Sequence, residues 1–363
     1  MRKLLRVTRL IFVGLFLLLL GGLGGVFILR AYRQHVTAQR LAILTPNGID
    51  EAMYVPIGGI DQWIQIRGQD RDNPVLLCLH GGPGATWLPL TTVFAPWEKD
   101  FTVVQWDQRG AGKSLEASGP SIASTMSIQR MADDGIEVAE FLRAHLKKEK
   151  ILLLGHSWGS ILGVHMVLQR PDLFSAYVGT GQAAQMTRSQ QISYAHLLEK
   201  ARAAGDKNSV QALVGIGPPP FDSIRKVAVY FHELEPYEVE PDRYAQSGLM
   251  GRAIFNAPHF SLGDILSRAR GFERIPTWSL YQAMLSTDLL SLGSTLKVPV
   301  FFFQGTQDEV TEASLVQEYF DKVDAPHKEI VLFEGEGHFA VLTQPGKFLE
   351  ELDTRVRPFA LQH

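Results

Sequence analysis

The chain has 363 residues, 45% of them hydrophobic and 20% charged, with a formal net charge of -3. That is globular material for one large domain or two small ones, and it leaves no basic surplus for nucleic acid. A single cysteine, Cys78, excludes a disulfide framework and any multi-thiolate site, and no HExxH or calcium-loop pattern occurs, so no metal or other cofactor is implied.

Residues 10–29 carry no charge. At about 1.5 Å per residue they match the roughly 30 Å of a bilayer core, so the sequence predicts a membrane anchor over residues 1–35. The rival is a cleaved signal peptide, with an apolar core at residues 10–20 and small residues at Gly22-Leu23-Gly24. Continuation of the apolar run to Arg30 favours a retained transmembrane helix. Arg2, Lys3, Arg6 and Arg9 precede the span and Arg30, Arg33 and Arg40 follow it. That margin orients the N-terminus to the cytoplasm and the remaining chain to the outer or periplasmic side. A polar linker to about Thr45 is expected next.

From residue 46 to 181 strands and helices alternate, the pattern of a mainly parallel, doubly wound sheet. Residues 53–55 and 63–67 read as an antiparallel pair joined through Gly58-Gly59. Residues 75–79 and 101–106 read as the next strands, and Cys78 within the first of them as a buried spectator. Ile128, Met131, Gly135, Val138, Leu142 and Leu146 recur at three- and four-residue steps, predicting an amphipathic helix over 127–147. The apolar run 151–154 is a central strand, followed by a helix and a further strand at 176–179. Residues 182–296 lose the alternation and read as an inserted, largely helical cap. It resumes over 297–363 with strands at 298–304 and 329–333 and helices near 313–320 and from about 346.

Between the strand at 151–154 and its helix stands Gly155-His156-Ser157-Trp158-Gly159, a G-x-S-x-G pattern. Glycines flank the serine because the sharp turn leaves no room for a Cβ, and the turn sets Ser157 at a helix N-terminus with the Trp158 N–H beside it. A serine hydroxyl needs a base, and the base an orienting carboxylate. Asp308 follows the strand at 298–304 and His338 follows that at 329–333, in the order serine, acid, histidine. Glu309 is the rival acid, while His156 and His165 read as packing partners. Gly82, after the strand at 75–79, is the expected second oxyanion donor with Trp158. Gly110-Ala111-Gly112-Lys113-Ser114 looks like the end of a phosphate loop, but GxxxxGK[ST] requires glycine at Asp107.

The segments His80-Gly81-Gly82-Pro83-Gly84, Asp107-Gln108-Arg109-Gly110 with Gly112 and Ser114, and Gly155 to Gly159, taken with Asp308 and His338, resemble the proline iminopeptidase family of α/β-hydrolases. The resemblance spans residue 49 to the C-terminus. It implies an α/β-hydrolase fold with a helical cap and a serine peptidase that releases an N-terminal residue. It makes Ser157 the nucleophile, Asp308 and His338 its partners, and the N–H groups of Gly82 and Trp158 the oxyanion hole. The cap departs from the family, because no Trp-Glu pair occurs there to hold a substrate ammonium. Glu233, Glu235, Glu238 and Glu240 are the available carboxylates.

The leading expectation is a membrane-anchored aminopeptidase acting on small peptides. The same machinery acting on esters, lactones or non-peptide amides is the first rival, and a catalytically silent binding protein the second.

Overall fold

The computed structural model describes residues 2–265 and 278–362. Eight strands form one sheet in the order β1-β2-β4-β3-β5-β6-β7-β8. They are β1 (Ile49–Ile57), β2 (Ile60–Gly68), β3 (Val75–Leu79), β4 (Thr102–Trp106), β5 (Ile151–His156), β6 (Phe174–Thr180), β7 (Val300–Gly305) and β8 (Lys328–Phe333). The pairs β1/β2 and β2/β4 are antiparallel and the rest are parallel. The expected opening hairpin is present, turned through Gly58 and Gly59 at φ 58° and 77°, conformations that favour glycine.

Strands β3 to β7 are buried along their whole length, which requires apolar cover on both faces. The period of two supplies it. Leu77, Leu79 and Leu153 enter one apolar cluster, whereas Leu76, Cys78, Leu152 and Leu154 enter another on the opposite face. Burying each leucine contributes about 1.5–3 kcal/mol. Cys78 is fully buried, and burial pushes its thiol well above the ordinary value, as a spectator requires.

Helix α1 spans Arg2–Arg40. Among the described residues no helix is long and apolar enough to cross a membrane, so the expected transmembrane helix is not supported there. The side chains of Leu10, Ile11, Leu15, Leu17 and Leu19 lie outside the described residues. The expected polar linker is corrected more simply: the helix continues to Arg40, because its end has partners. Arg30 donates to the Phe260 carbonyl, Gln34 donates to that of Ala257 at 2.7 Å, and the Leu41 carbonyl accepts from Arg67.

Helix α2 (Ile128–Leu146) starts at Ser127, whose hydroxyl caps the Arg130 N–H, and ends at left-handed Lys147. Helix α3 (Trp158–Gln169) follows β5 directly. Between β6 and β7 the described chain is largely helical, with α4 (Met186–Ala203), α5 (Lys207–Ile216), α6 (Ile224–Leu234), α7 (Glu240–Arg243), a π-helical stretch at Tyr244–Leu249, α8 (Met250–Asn256) and α9 (Trp278–Leu285). Helix α10 (Ala313–Lys322) follows β7 and α11 (Pro345–Glu351) follows β8.

Candidate active site

The turn after β5 is as tight as its glycines imply. Ser157 sits at φ 54° and ψ -120°, a strained conformation for a side chain with a Cβ. A Cβ on Gly155 would stand 2.6 Å from the Gly159 carbonyl oxygen, and one on Gly159 would overlap the carbonyl of Leu79. Neighbouring groups hold the strain: Ser157 N–H donates to Thr180 at 3.0 Å, and Ser160 Oγ donates to the Ser157 carbonyl at 2.6 Å.

Asp308 and His338 meet beside this turn. His338 Nδ1 lies 2.9 Å from Asp308 Oδ2. The carboxylate is saturated with donors: Oδ1 accepts the N–H groups of Val310 and Thr311 at 2.9 and 2.8 Å, and Oδ2 accepts Gln304 Nε2 at 2.8 Å and Thr311 Oγ1 at 2.7 Å. Burial raises Asp308, but the imidazole and these donors outweigh it and hold the carboxyl below the usual range. Burial likewise pulls His338 down. Attraction to Asp308, with help from Asp242 and Glu238, leaves its imidazole above the ordinary value. The pair thus fixes the ring with Nδ1–H toward the carboxylate, leaving Nε2 as the basic nitrogen.

Ser157, Trp158, Gly82 and His338 line one chamber of about 530 Å³, whose apolar walls include Val227 and Met284. Trp158 opens helix α3, so its N–H has no acceptor within the helix. Ser157 and His338 thus border one chamber, with Asp308 behind the imidazole, whereas the rival acid Glu309 pairs with Lys200 at 2.7 Å. His156 packs with its ring 4.9 Å from that of His338, and burial lowers it to about 3. His165 is partly buried and lowered by the same cause.

The cap glutamates need correction. Only Glu238 lines the chamber. Glu233 turns toward helix α5 and accepts Ser209 Oγ at 2.6 Å, while Glu235 and Glu240 are exposed. Glu233 lies within helix α6 and Glu240 opens α7, whereas Glu238 stands in extended backbone at the bend between them and lines the chamber. Burial, then the nearby Asp242, pushes Glu238 up to about 7.

The Asp107 to Ser114 segment is scaffold. Asp107 accepts Thr86 Oγ1 and the Lys113 N–H, and Lys113 Nζ lies 3.3 Å from Asp264, so carboxylates occupy the positions a phosphate would need. Arg109 forms a buried pair with Asp134 at 2.6 Å. Residue-by-residue reading missed two groups: Gln108, which bridges the Gly82 loop to Trp158, and Asp242, which contacts the His338 loop.

The sequence profile of the alpha/beta hydrolase fold matches residues 74–345. A Bacillus subtilis protein named "Probable aminopeptidase YbaC" is 32% identical over 83% of this chain and 94% of its own length. A proline iminopeptidase of Lactobacillus delbrueckii subsp. bulgaricus is 25% identical over 82% of this chain and 95% of its own. Among solved structures, a proline iminopeptidase from Mycobacterium smegmatis superposes with a TM-score of 0.61 at 20% identity, covering 86% of this chain and 99% of that one. That last likeness speaks to the fold alone.

Proposed function

Because the chain belongs to the alpha/beta hydrolase fold family, we propose that it is a serine aminopeptidase releasing N-terminal residues from small peptides. The observation that carries the reading is the buried His338–Asp308 pair opening on the same chamber as Ser157. Ser157 Oγ attacks the scissile carbonyl as His338 Nε2 takes its proton, and the oxyanion is met by the N–H groups of Gly82 and Trp158. The imidazolium returns that proton to the leaving amine. Water, deprotonated by the same nitrogen, then hydrolyses the ester and restores the serine.

Peptidase over esterase rests on Glu238. A carboxylate lining the chamber with the nucleophile can pair with a substrate ammonium and so measure off one residue. The apolar walls favour a second reading, hydrolysis of small apolar esters or amides by the same groups. Aminoacyl amides assayed with free and with N-acetylated amines separate the two. The proposal expects the acetylated forms to be poor substrates, and equal turnover would contradict it.

We also infer that α1 anchors the enzyme, with the N-terminus cytoplasmic and the catalytic domain on the outer or periplasmic side. Support comes from the charge-free residues 10–29 and from Phe12, Phe16, Leu18 and Ile28, each more than 60% exposed. Retention in membranes through alkaline carbonate extraction is expected, and release would contradict it.

A further inference from the structure

Asp242 is a carboxylate that the steps above do not use, yet it is only 2% exposed and belongs to helix α7 rather than to the sheet. Its Oδ2 accepts the His338 N–H at 2.6 Å and its Oδ1 accepts the Phe339 N–H at 3.0 Å. Two charge-assisted bonds to consecutive amides fix orientation as well as distance. The loop is shaped to admit them. A Cβ on Gly337 would overlap Asp242 Oδ2 and stand 2.9 Å from Val239 Cγ2. A Cβ on Gly305 would stand 2.6 Å from the Glu336 carbonyl oxygen, so β7 backs the loop closely from the other side.

We propose that Asp242 is a positioning residue: by accepting both amides of the His338 loop it ties the helical segment above the chamber to the catalytic imidazole, so that one contact sets the seat of both. This rests on the reading of Ser157, His338 and Asp308 as the catalytic groups. The helical run that begins at α7 passes Gln246 and Met250, which line the chamber, and ends beside Ala257, held by Gln34 of α1. Displacing this run therefore displaces the histidine loop.

The contact also carries charge. The imidazole is faced by Asp308 from the β7 loop, by Asp242 and Glu238 from the helical segment, and by the His156 ring from β5. On its own loop, Glu336 is engaged by Thr343 and Gln344. Asp242 is among the groups that hold His338 up, so neutralising it should lower the imidazole.

The test is the rate at which a fluorophosphonate labels the full chain as a function of pH, for wild type, Asp242→Asn and Gly337→Ala. The probe reads activation of Ser157 by His338 whatever the natural substrate. Asp242→Asn keeps the shape and one carbonyl acceptor. It should label about 10- to 100-fold more slowly on the plateau, with its acid limb moved to lower pH. Gly337→Ala, which pushes the carboxylate away from the other side, should move both in the same direction. An unlabelled wild type would remove the serine-hydrolase reading and this proposal with it. A labelled wild type with variants of unchanged rate, or with slower variants whose acid limb has not moved, would overturn this proposal alone.

Discussion

The Gln108 side chain accepts the Trp158 indole N–H at 2.9 Å and, through its own amide nitrogen, donates to the His80 carbonyl at 3.0 Å. One buried amide thus spans the loop that carries Gly82 and the first residue of α3, the two proposed oxyanion donors. Gln108→Leu would leave both donors in the chain but release their spacing. The expected result is a fall in kcat of up to about 10²-fold with KM changed only a few-fold, since the loss falls on the transition state. Steady-state kinetics check it, and an unaltered kcat would show that the loop holds its shape without the bridge.

Arg109 and Asp134 make a different kind of prediction. Their side chains are 2% and 0% exposed, and Arg109 also donates to the Gly58 carbonyl at 2.7 Å, tying the β1/β2 turn to α2. Removing one partner of such a pair strands a buried charge, which costs about 3–5 kcal/mol. Asp134→Asn should therefore lower Tm by roughly 5 °C while leaving kcat near wild type below the transition. Calorimetry with a parallel assay separates the two effects.

Glu238 sets an expectation for pH. Burial and Asp242 push it up to about 7, so the carboxyl becomes anionic only as pH rises through that value. The substrate α-amine, which ordinarily titrates at about 7.7–8.0, loses its charge above that range. Binding of free-amine substrates, read as 1/KM, should thus peak between about 7 and 8. Glu238→Gln should raise KM by about 10- to 100-fold, remove the acid limb of 1/KM, and leave turnover of short acyl esters unchanged. Equal losses on esters would assign Glu238 a structural role instead.

The elbow was legible because its demands are local: Gly155 and Gly159 are spelled out by the absence of room for a Cβ. Asp308 and His338 were legible through chain order and their places past β7 and β8. Asp242 was not, because its role depends on a contact 96 residues away in sequence, and only Gly337 hints that something approaches the loop. The four cap glutamates were equivalent on paper until the bend between α6 and α7 set Glu238 apart from the rest. Helix α1 announced its apolar composition, but nothing in residues 30–40 foretold that Arg30 and Gln34 would seek the carbonyls of Phe260 and Ala257.

Acid dependence of catalysis follows from His338, which must be neutral to accept the serine proton. Because its imidazole is held above the ordinary value of 6.5, kcat/KM should rise with pH along a limb centred above 6.5. Profiles on an ester isolate this limb from the titration of a substrate amine.

Turnover of a free aminoacyl amide by Ser157→Ala, with wild type beside it, tests the hydroxyl at the turn most directly. A fall in kcat of about 10⁶-fold with the fold intact is the predicted result. A variant that keeps a tenth or more of the wild-type rate would contradict it.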